Sequence, residues 1–257
     1  MNKFVVIIGM GELGEIFARG FLKLGYPVYP VLRSMQLSTV VSAIPDPELV
    51  LLAIGEDDFH PQLEVLPDSW RGKLVFLQNE LLPHDWGRHN IIDPTVITVW
   101  FDKKKGRPLK SLLPSYVSGP KAALIANSLK IIDVPCREIS REQHLYEMIR
   151  KNLYILTVNI AGLKMSPGST VTKLWADYRE MTEILAKELL DVQEWLVQTK
   201  LPRDKLLSGM LEAFSADPEH ICRGRTAPER LARVLKFADI AGISAPMLQA
   251  ISMEISQ

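Results

Sequence analysis

With 257 residues, the chain is long enough for one or two domains and for a core that needs no disulfide or metal to hold it. Its 30 Lys and Arg balance 30 Asp and Glu, and zero net charge argues against a protein whose main business is gripping nucleic acid through phosphates. Hydrophobic residues at 47% and charged ones at 23% are ordinary for a globular protein, and no uninterrupted apolar run approaches the roughly 18 residues of a membrane span.

The first half reads as short apolar runs bounded by Gly, Pro or Asp. FVVII (4–8), YPVYPVL (26–32), LVLLAI (49–54), KLVFLQ (73–78) and VITVW (96–100) are predicted strands. Several are apolar at nearly every position, as strands of a parallel sheet covered on both faces are. Between the first two, Leu13, Ile16, Phe17, Phe21 and Leu24 recur at helical spacing, and Gly25 stops the helix. The chain therefore opens strand, helix, strand. The segment STVVSAI (38–44) fits either a small strand or a helical turn.

The N-terminal apolar run is too short for a signal-peptide core and opens a structural motif instead. Cys136 and Cys222 lie far apart and form no C-x-x-C pair, so they read as free thiols of a reducing compartment. A cytoplasmic protein is expected.

After the first strand comes Gly9-Met10-Gly11-Glu12-Leu13-Gly14, a G-x-G-x-x-G that opens a helix. The first glycine allows a tight turn. The second lets a pyrophosphate approach the backbone, and the third lets helix and strand pack closely. The helix N-terminus then offers N–H groups and partial positive charge to phosphates. A strand before and an amphipathic helix after are the context that the dinucleotide reading requires, the alternative being a tight turn that holds no ligand. At the end of the second strand an acid would hold the ribose of NAD. This chain has Arg33 and Ser34 there, which favours the 2′-phosphate of NADP.

Three further features carry less. His84, Asp85 and His89 lie in a loop with no third histidine close in sequence, so polar loop residues are expected rather than a metal site. DKKKGRP (102–108) is a basic loop expected to join two strands of a hairpin with Gly106 in the turn. GEDDF (55–59) follows a strand and faces the cofactor crevice, with Asp57 and Asp58 as candidate caps of the next helix.

From Arg141 onward the pattern is helical almost throughout, over about 142–163, 170–198, 203–214, 228–241 and 246–255. The predicted organisation is thus α/β: a Rossmann-type domain over 1–139, then an all-helical domain over 140–257. The first of these helices holds Lys151, Asn152 and Asn159 inside an apolar run. At about 100° per residue, Lys151 and Asn159 lie about 80° apart, near enough to border one cleft. Taken singly, Lys151 also fits a snorkelling side chain, Asn79 a turn residue, and Asn159 a hydrogen-bonded core amide.

GMGELG (9–14), VLRS (31–34), FLQNE (76–80), SGP (118–120), RKNLYILTVNIAGL (150–163), SPGSTVTKLWADYREMTEILAKELL (166–190) and AGISAP (241–246) together resemble the ketopantoate reductases (2-dehydropantoate 2-reductases) over most of the chain. That family pairs a Rossmann domain with a helical one and reduces a 2-oxo acid to a 2-hydroxy acid with NADPH. The resemblance implies Lys151 as general acid, with Asn79 and Asn159 positioning the reactants. It implies a small-molecule substrate. A homodimer through the helical domain is a further expectation, and zero net charge and the lack of a long apolar run speak against a nucleic-acid or membrane partner. The family's Q-N-G after its fifth strand is here Gln78-Asn79-Glu80, and its K-x-x-x-N-x-x-x-N is Lys151, Ile155, Asn159. The substrate-binding Glu would fall near Thr226, and the nearest acid is Glu229. Ser215 sits near where a family serine contacts substrate. These departures keep two other readings open: a dinucleotide-binding regulator without catalysis, and an enzyme like pyrroline-5-carboxylate reductase.

Overall fold

The computed structural model describes residues 2–103 and 106–255. Two compact units divide between Glu147 and Met148. The division falls inside a long helix, a little beyond the 139/140 boundary expected from sequence.

The first unit is built on strands β1 (Val5–Ile8), β2 (Val28–Val31), β3 (Leu49–Leu52), β4 (Leu74–Phe76), β5 (Thr95–Thr98), β8 (Ser115–Ser118) and β9 (Cys136–Glu138). They form one sheet in the order β2-β1-β3-β4-β5-β8-β9. The first five strands are parallel, β8 runs antiparallel to β5, and β9 parallel to β8. Every residue of β1 and β3 is buried, which is why their sequences show no alternation. Phe17 and Phe21 of helix α1 (Glu12–Lys23) pack on one face with Val5, Ile7, Leu49 and Leu51, joined by Ile125 and Leu129 of α6 (Ala122–Lys130). A Cβ on Gly20 would stand 2.1 Å from the Ser128 carbonyl oxygen, so the absent side chain lets α1 and α6 come close. Phe59 of α3 (Glu56–Glu64) meets Phe76 edge-on at 5.0 Å.

The undecided segment 38–44 becomes helix α2 (Leu37–Ala43), and the short helices α4 (Asp68–Arg71) and α5 (Pro83–Gly87) lead to and from β4. Gln78-Asn79-Glu80 therefore follows the fourth strand of this chain, not a fifth. β6 (Phe101–Asp102) and β7 (Lys110–Ser111) form the expected antiparallel hairpin, with Gly106 at φ +74. Lys104 and Lys105 of its loop lie outside the described residues. Strands β8 and β9 and helix α6 were not among the expected elements, and the two strands are short and carry Ser, Arg and Glu among few apolar residues.

Helix α7 (Arg141–Ala161) begins in this unit. His144 fastens its start: Nε2 lies 2.9 Å from Thr98 Oγ1 on β5 and Nδ1 lies 2.7 Å from Ser118 Oγ on β8. Arg141 donates to the Pro94 carbonyl at 2.8 Å and pairs with Asp93.

The second unit takes the rest of α7, a 3₁₀ turn Gly162–Lys164, then α8 (Val171–Asp177), α9 (Arg179–Val197), α10 (Arg203–Ala216), α11 (Ala227–Ala241) and α12 (Pro246–Ile255). The single helix predicted over 170–198 is broken at Tyr178, which ends α8 and starts α9 with φ −130. Arg150, buried on α7, donates from Nε to the Gly209 carbonyl of α10 at 3.1 Å. Buried Glu188 of α9 accepts from the backbone N–H groups of Met247 and Leu248 at 2.8 and 3.0 Å. A carboxylate thus satisfies two backbone donors in the first turn of α12, where negative charge also suits the helix dipole.

Candidate functional site

β1 ends in the glycine loop, and its neighbours β2 and β3 leave it in opposite directions across the sheet. That reversal, at the carboxyl ends of parallel strands, is where open α/β sheets make a crevice. The three glycines each have a distinct geometric reason. Gly9 has φ +95, and a Cβ there would stand 2.4 Å from the Ala53 carbonyl oxygen. A Cβ on Gly14 would stand 2.2 Å from the Gly9 carbonyl oxygen, so this glycine lets α1 close down on the loop. A Cβ on Gly11 would meet nothing within 4 Å. The space above Gly11 is therefore open, at the N-cap of α1, and no side chain caps that helix. These residues fit a dinucleotide pyrophosphate: open backbone, a helix N-terminus and a tight turn. Met10 and Leu13 turn partly into the core cluster, while Glu12 opens the helix as its first residue.

Arg33 and Ser34 form an exposed turn directly after β2. The Arg33 guanidinium donates to Asp58 Oδ2 at 2.8 Å, with the two side chains 92% and 51% exposed. Asp58 lies in the first turn of α3, after Gly55 as N-cap. Neither Asp57 nor Asp58 caps that helix, since both are already inside it and Gly55 carries no side chain for the purpose.

Asn79 sits just past β4, half-buried, and its amide nitrogen donates to Glu56 Oε1 at 3.1 Å. The first turn of α3 thus holds both Arg33 and Asn79. Gln78 donates to the carbonyls of Leu52 and Ile54 at 2.7 and 3.2 Å, tying the end of β4 to the end of β3. Glu80 has φ +63. The left-handed conformation that glycine would supply at this position is kept by a residue that pays about 1 kcal/mol for it. Sequence reading singled out Arg33 and Asn79 and missed the Glu56 and Asp58 contacts. The signal was available in GEDDF, which the strand before it directs to this crevice.

In the second unit, Lys151 is half-buried on α7 and Ile155 is half-buried one turn on. Asn159 is buried. Its amide donates back to the Ile155 carbonyl at 3.0 Å, and its Oδ1 lies against Gly224, where a Cβ would stand 2.2 Å away. Asn159 is tied into its own helix, in line with the core-amide reading. Ser215 is exposed and donates to the Leu211 carbonyl at 3.0 Å. Thr226 is the N-cap residue of α11, and Glu229 is exposed in its first turn.

His84, Asp85 and His89 gain a third histidine that the sequence order concealed. His60 of α3 stacks on His89 with ring centres 5.2 Å apart, and its Nδ1 lies 3.0 Å from His89 Nε2. Arg88 Nε also donates to His60 Nδ1, at 3.2 Å. Burial first, then the Arg88 charge, lowers both His60 and His89 below the ordinary histidine range. Among the described residues no group of three or more His, Cys, Asp or Glu has metal-holding geometry. Burial pushes both thiols, Cys136 and Cys222, up to about 12, which leaves them little nucleophilic character. Among the described residues no helix is long and apolar enough to cross a membrane.

No family model matches the sequence, and no curated protein does. Solved structures do. A probable 2-dehydropantoate 2-reductase from Bacillus subtilis aligns with TM-score 0.69 at 16% identity, over 98% of this chain and 99% of that one. The chain has the ketopantoate reductase fold. A D-mandelate dehydrogenase in complex with NADH shares this fold, with TM-score 0.69 and 13% identity over 98% and 97% of the two chains. A dimeric ketopantoate reductase from Staphylococcus aureus aligns with TM-score 0.63 at 13% identity over the same shares. At such identities the likeness shows the fold alone.

Proposed function

We propose that the chain is a nicotinamide-dinucleotide-dependent reductase of a small 2-oxo acid, with the glycine loop as cofactor site and Lys151 as general acid. The observation that carries this is the open space over Gly11 at the uncapped start of α1, on the sheet edge where Arg33 and Asn79 follow the carboxyl ends of β2 and β4. A bound reduced nicotinamide supplies the hydride. Arg33 reads the 2′-phosphate, so NADPH is the preferred donor, and Ser34 adds a hydroxyl beside it. Asn79, with its amide nitrogen given to Glu56, keeps Oδ1 as an acceptor for the nicotinamide amide. Lys151 passes a proton to the carbonyl oxygen, and its ammonium offsets negative charge developing there. The helical second unit supplies Lys151, a lesser share of substrate contacts from Ser215 and Glu229, and the surface of a homodimer.

Ile155, and the commitment of the Asn159 amide to the Ile155 carbonyl, support a second reading: a dinucleotide-binding protein that does not turn over an oxo acid. One series of measurements decides. NADPH and NADH are titrated by nicotinamide fluorescence. Ketopantoate and the aromatic oxo acid corresponding to mandelate are then screened for NADPH consumption, with wild type and Lys151→Ala. The proposal expects binding, turnover, and a loss of at least about 100-fold in kcat for Lys151→Ala. Turnover unaffected by that change refutes the general acid. Binding without turnover on any oxo acid selects the second reading.

A further inference from the structure

We infer that Asp58 is a cofactor-specificity residue: its carboxylate holds the Arg33 guanidinium and so restrains the preference for NADPH over NADH. This rests on the dinucleotide reading of the glycine loop. Arg33 is the cation at the carboxyl end of β2, where the adenosine ribose lies in this kind of crevice. It does not stand there as an unopposed charge. Asp58 Oδ2 is 2.8 Å from its guanidinium nitrogen. Glu56 and Asp57 share the same first turn of α3, so the cation faces a negative segment.

A 2′-phosphate must win Arg33 from Asp58, or share it with a carboxylate that repels the phosphate. A ribose 2′-hydroxyl meets neither cost. It can donate to a carboxylate, which is how an acid favours NAD at this position. β2 carries no such acid, and here one reaches the position from α3, across the crevice mouth. Since both side chains are largely exposed, solvent screens the pair and its hold is modest. The preference is therefore tunable by a single charge.

The test is a binding measurement that does not depend on turnover. Dissociation constants for NADPH and NADH are measured for wild type, Asp58→Asn, Arg33→Ala and the double variant. Asp58→Asn is expected to raise the NADPH-to-NADH affinity ratio by roughly three- to ten-fold, with NADPH affinity raised and NADH affinity unchanged or lowered. Arg33→Ala lowers the ratio. In the Arg33→Ala background, Asp58→Asn should recover less than half of its effect, because the carboxylate acts chiefly through the guanidinium. The Asp58→Asn gain should also shrink as salt is raised from low to physiological levels. An unchanged ratio in Asp58→Asn overturns the inference while leaving the cofactor site intact. An equal gain with and without Arg33 overturns the restraint through Arg33. If neither dinucleotide binds wild type or variants, the cofactor reading falls and this inference falls with it.

Discussion

His144 makes the first unit acid-sensitive, and the size of the effect follows from its surroundings. The ring is 1% exposed and lies between two hydroxyls, Thr98 Oγ1 and Ser118 Oγ. Each ring nitrogen has a hydroxyl within hydrogen-bond distance, and because a hydroxyl can donate or accept, a neutral imidazole is satisfied in either tautomer. Burial first, then the nearby Arg141 charge, lowers its pKa from 6.5 to about 4. The unfolded chain therefore binds a proton below pH 6.5 that the folded chain refuses until about pH 4. Stability is fully present above 6.5 and is lost progressively as pH falls toward about 4, where the loss levels off. At about 1.4 kcal/mol per pH unit, that window amounts to ~3 kcal/mol. The assay is urea unfolding of wild type and His144→Gln at intervals from pH 7.5 to 4. Glutamine offers a donor and an acceptor but does not titrate over that range, so the other acidic groups cancel in the difference. The stability advantage of wild type over His144→Gln should shrink by ~3 kcal/mol across the range. A difference that stays constant with pH would refute the argument, because it would mean that His144 titrates alike in the folded and unfolded chain, and one that grows as pH falls would mean that the fold favours the imidazolium.

Other substitutions separate packing from ligand contact. Gly11→Ala should cost no more than about 1 kcal/mol in urea unfolding, as alanine at an N-cap does, while weakening dinucleotide binding at least about ten-fold, since the new methyl meets no protein atom but fills the open space. Gly14→Ala should cost more than about 2 kcal/mol in the same unfolding assay, because its methyl would stand 2.2 Å from the Gly9 carbonyl oxygen. Glu80→Gly should be neutral or stabilising by up to about 1 kcal/mol, and Glu80→Val destabilising by more than about 1, since a β-branched residue strains at φ +63. Glu188→Ala leaves two N–H groups at the buried start of α12 without their acceptor. It should cost about 2–3 kcal/mol, measured as a shift of the denaturation midpoint.

Much of the first unit was legible because its code is local. Strands buried on both faces, β1 and β3, announce themselves as unbroken Val, Leu and Ile runs, and the glycine loop follows the first of them directly. The helices of the second unit were legible through their spacing and through Pro167-Gly168 and Pro202 at their ends. The break at Tyr178 was not, since no Pro or Gly marks it and the chain turns only because α8 and α9 pack on each other. β8 and β9 were missed for a related reason: Ser115–Ser118 and Cys136–Glu138 are strands by their partners rather than by their own composition. The site followed the same division. Arg33 and Asn79 could be placed by their distance from a strand end. Their partners on α3 and the approach of His60 to His89 depend on how separate segments come together across the crevice and beneath it, and no spacing within one segment encodes that.

Glu80 holds a backbone conformation that would suit glycine better. A glycine at the end of Q-N-G would take φ near +60 freely. Glu80 takes φ +63 at a cost, so something other than its own preference holds the turn. Gln78 is one such restraint, since its amide nitrogen reaches the Leu52 and Ile54 carbonyls and pins the start of the turn to β3. Asn79 is another, bonded to Glu56 on the helix that follows β3. With residues 78 and 79 both tied to the β3–α3 connection, the chain must leave β4 through a left-handed residue whatever its side chain. The consequence concerns Asn79 more than Glu80. Its side chain is aimed by Glu56 on α3 rather than by the turn alone. Removing the Glu56 carboxylate should therefore disturb Asn79 more than replacing Glu80 does.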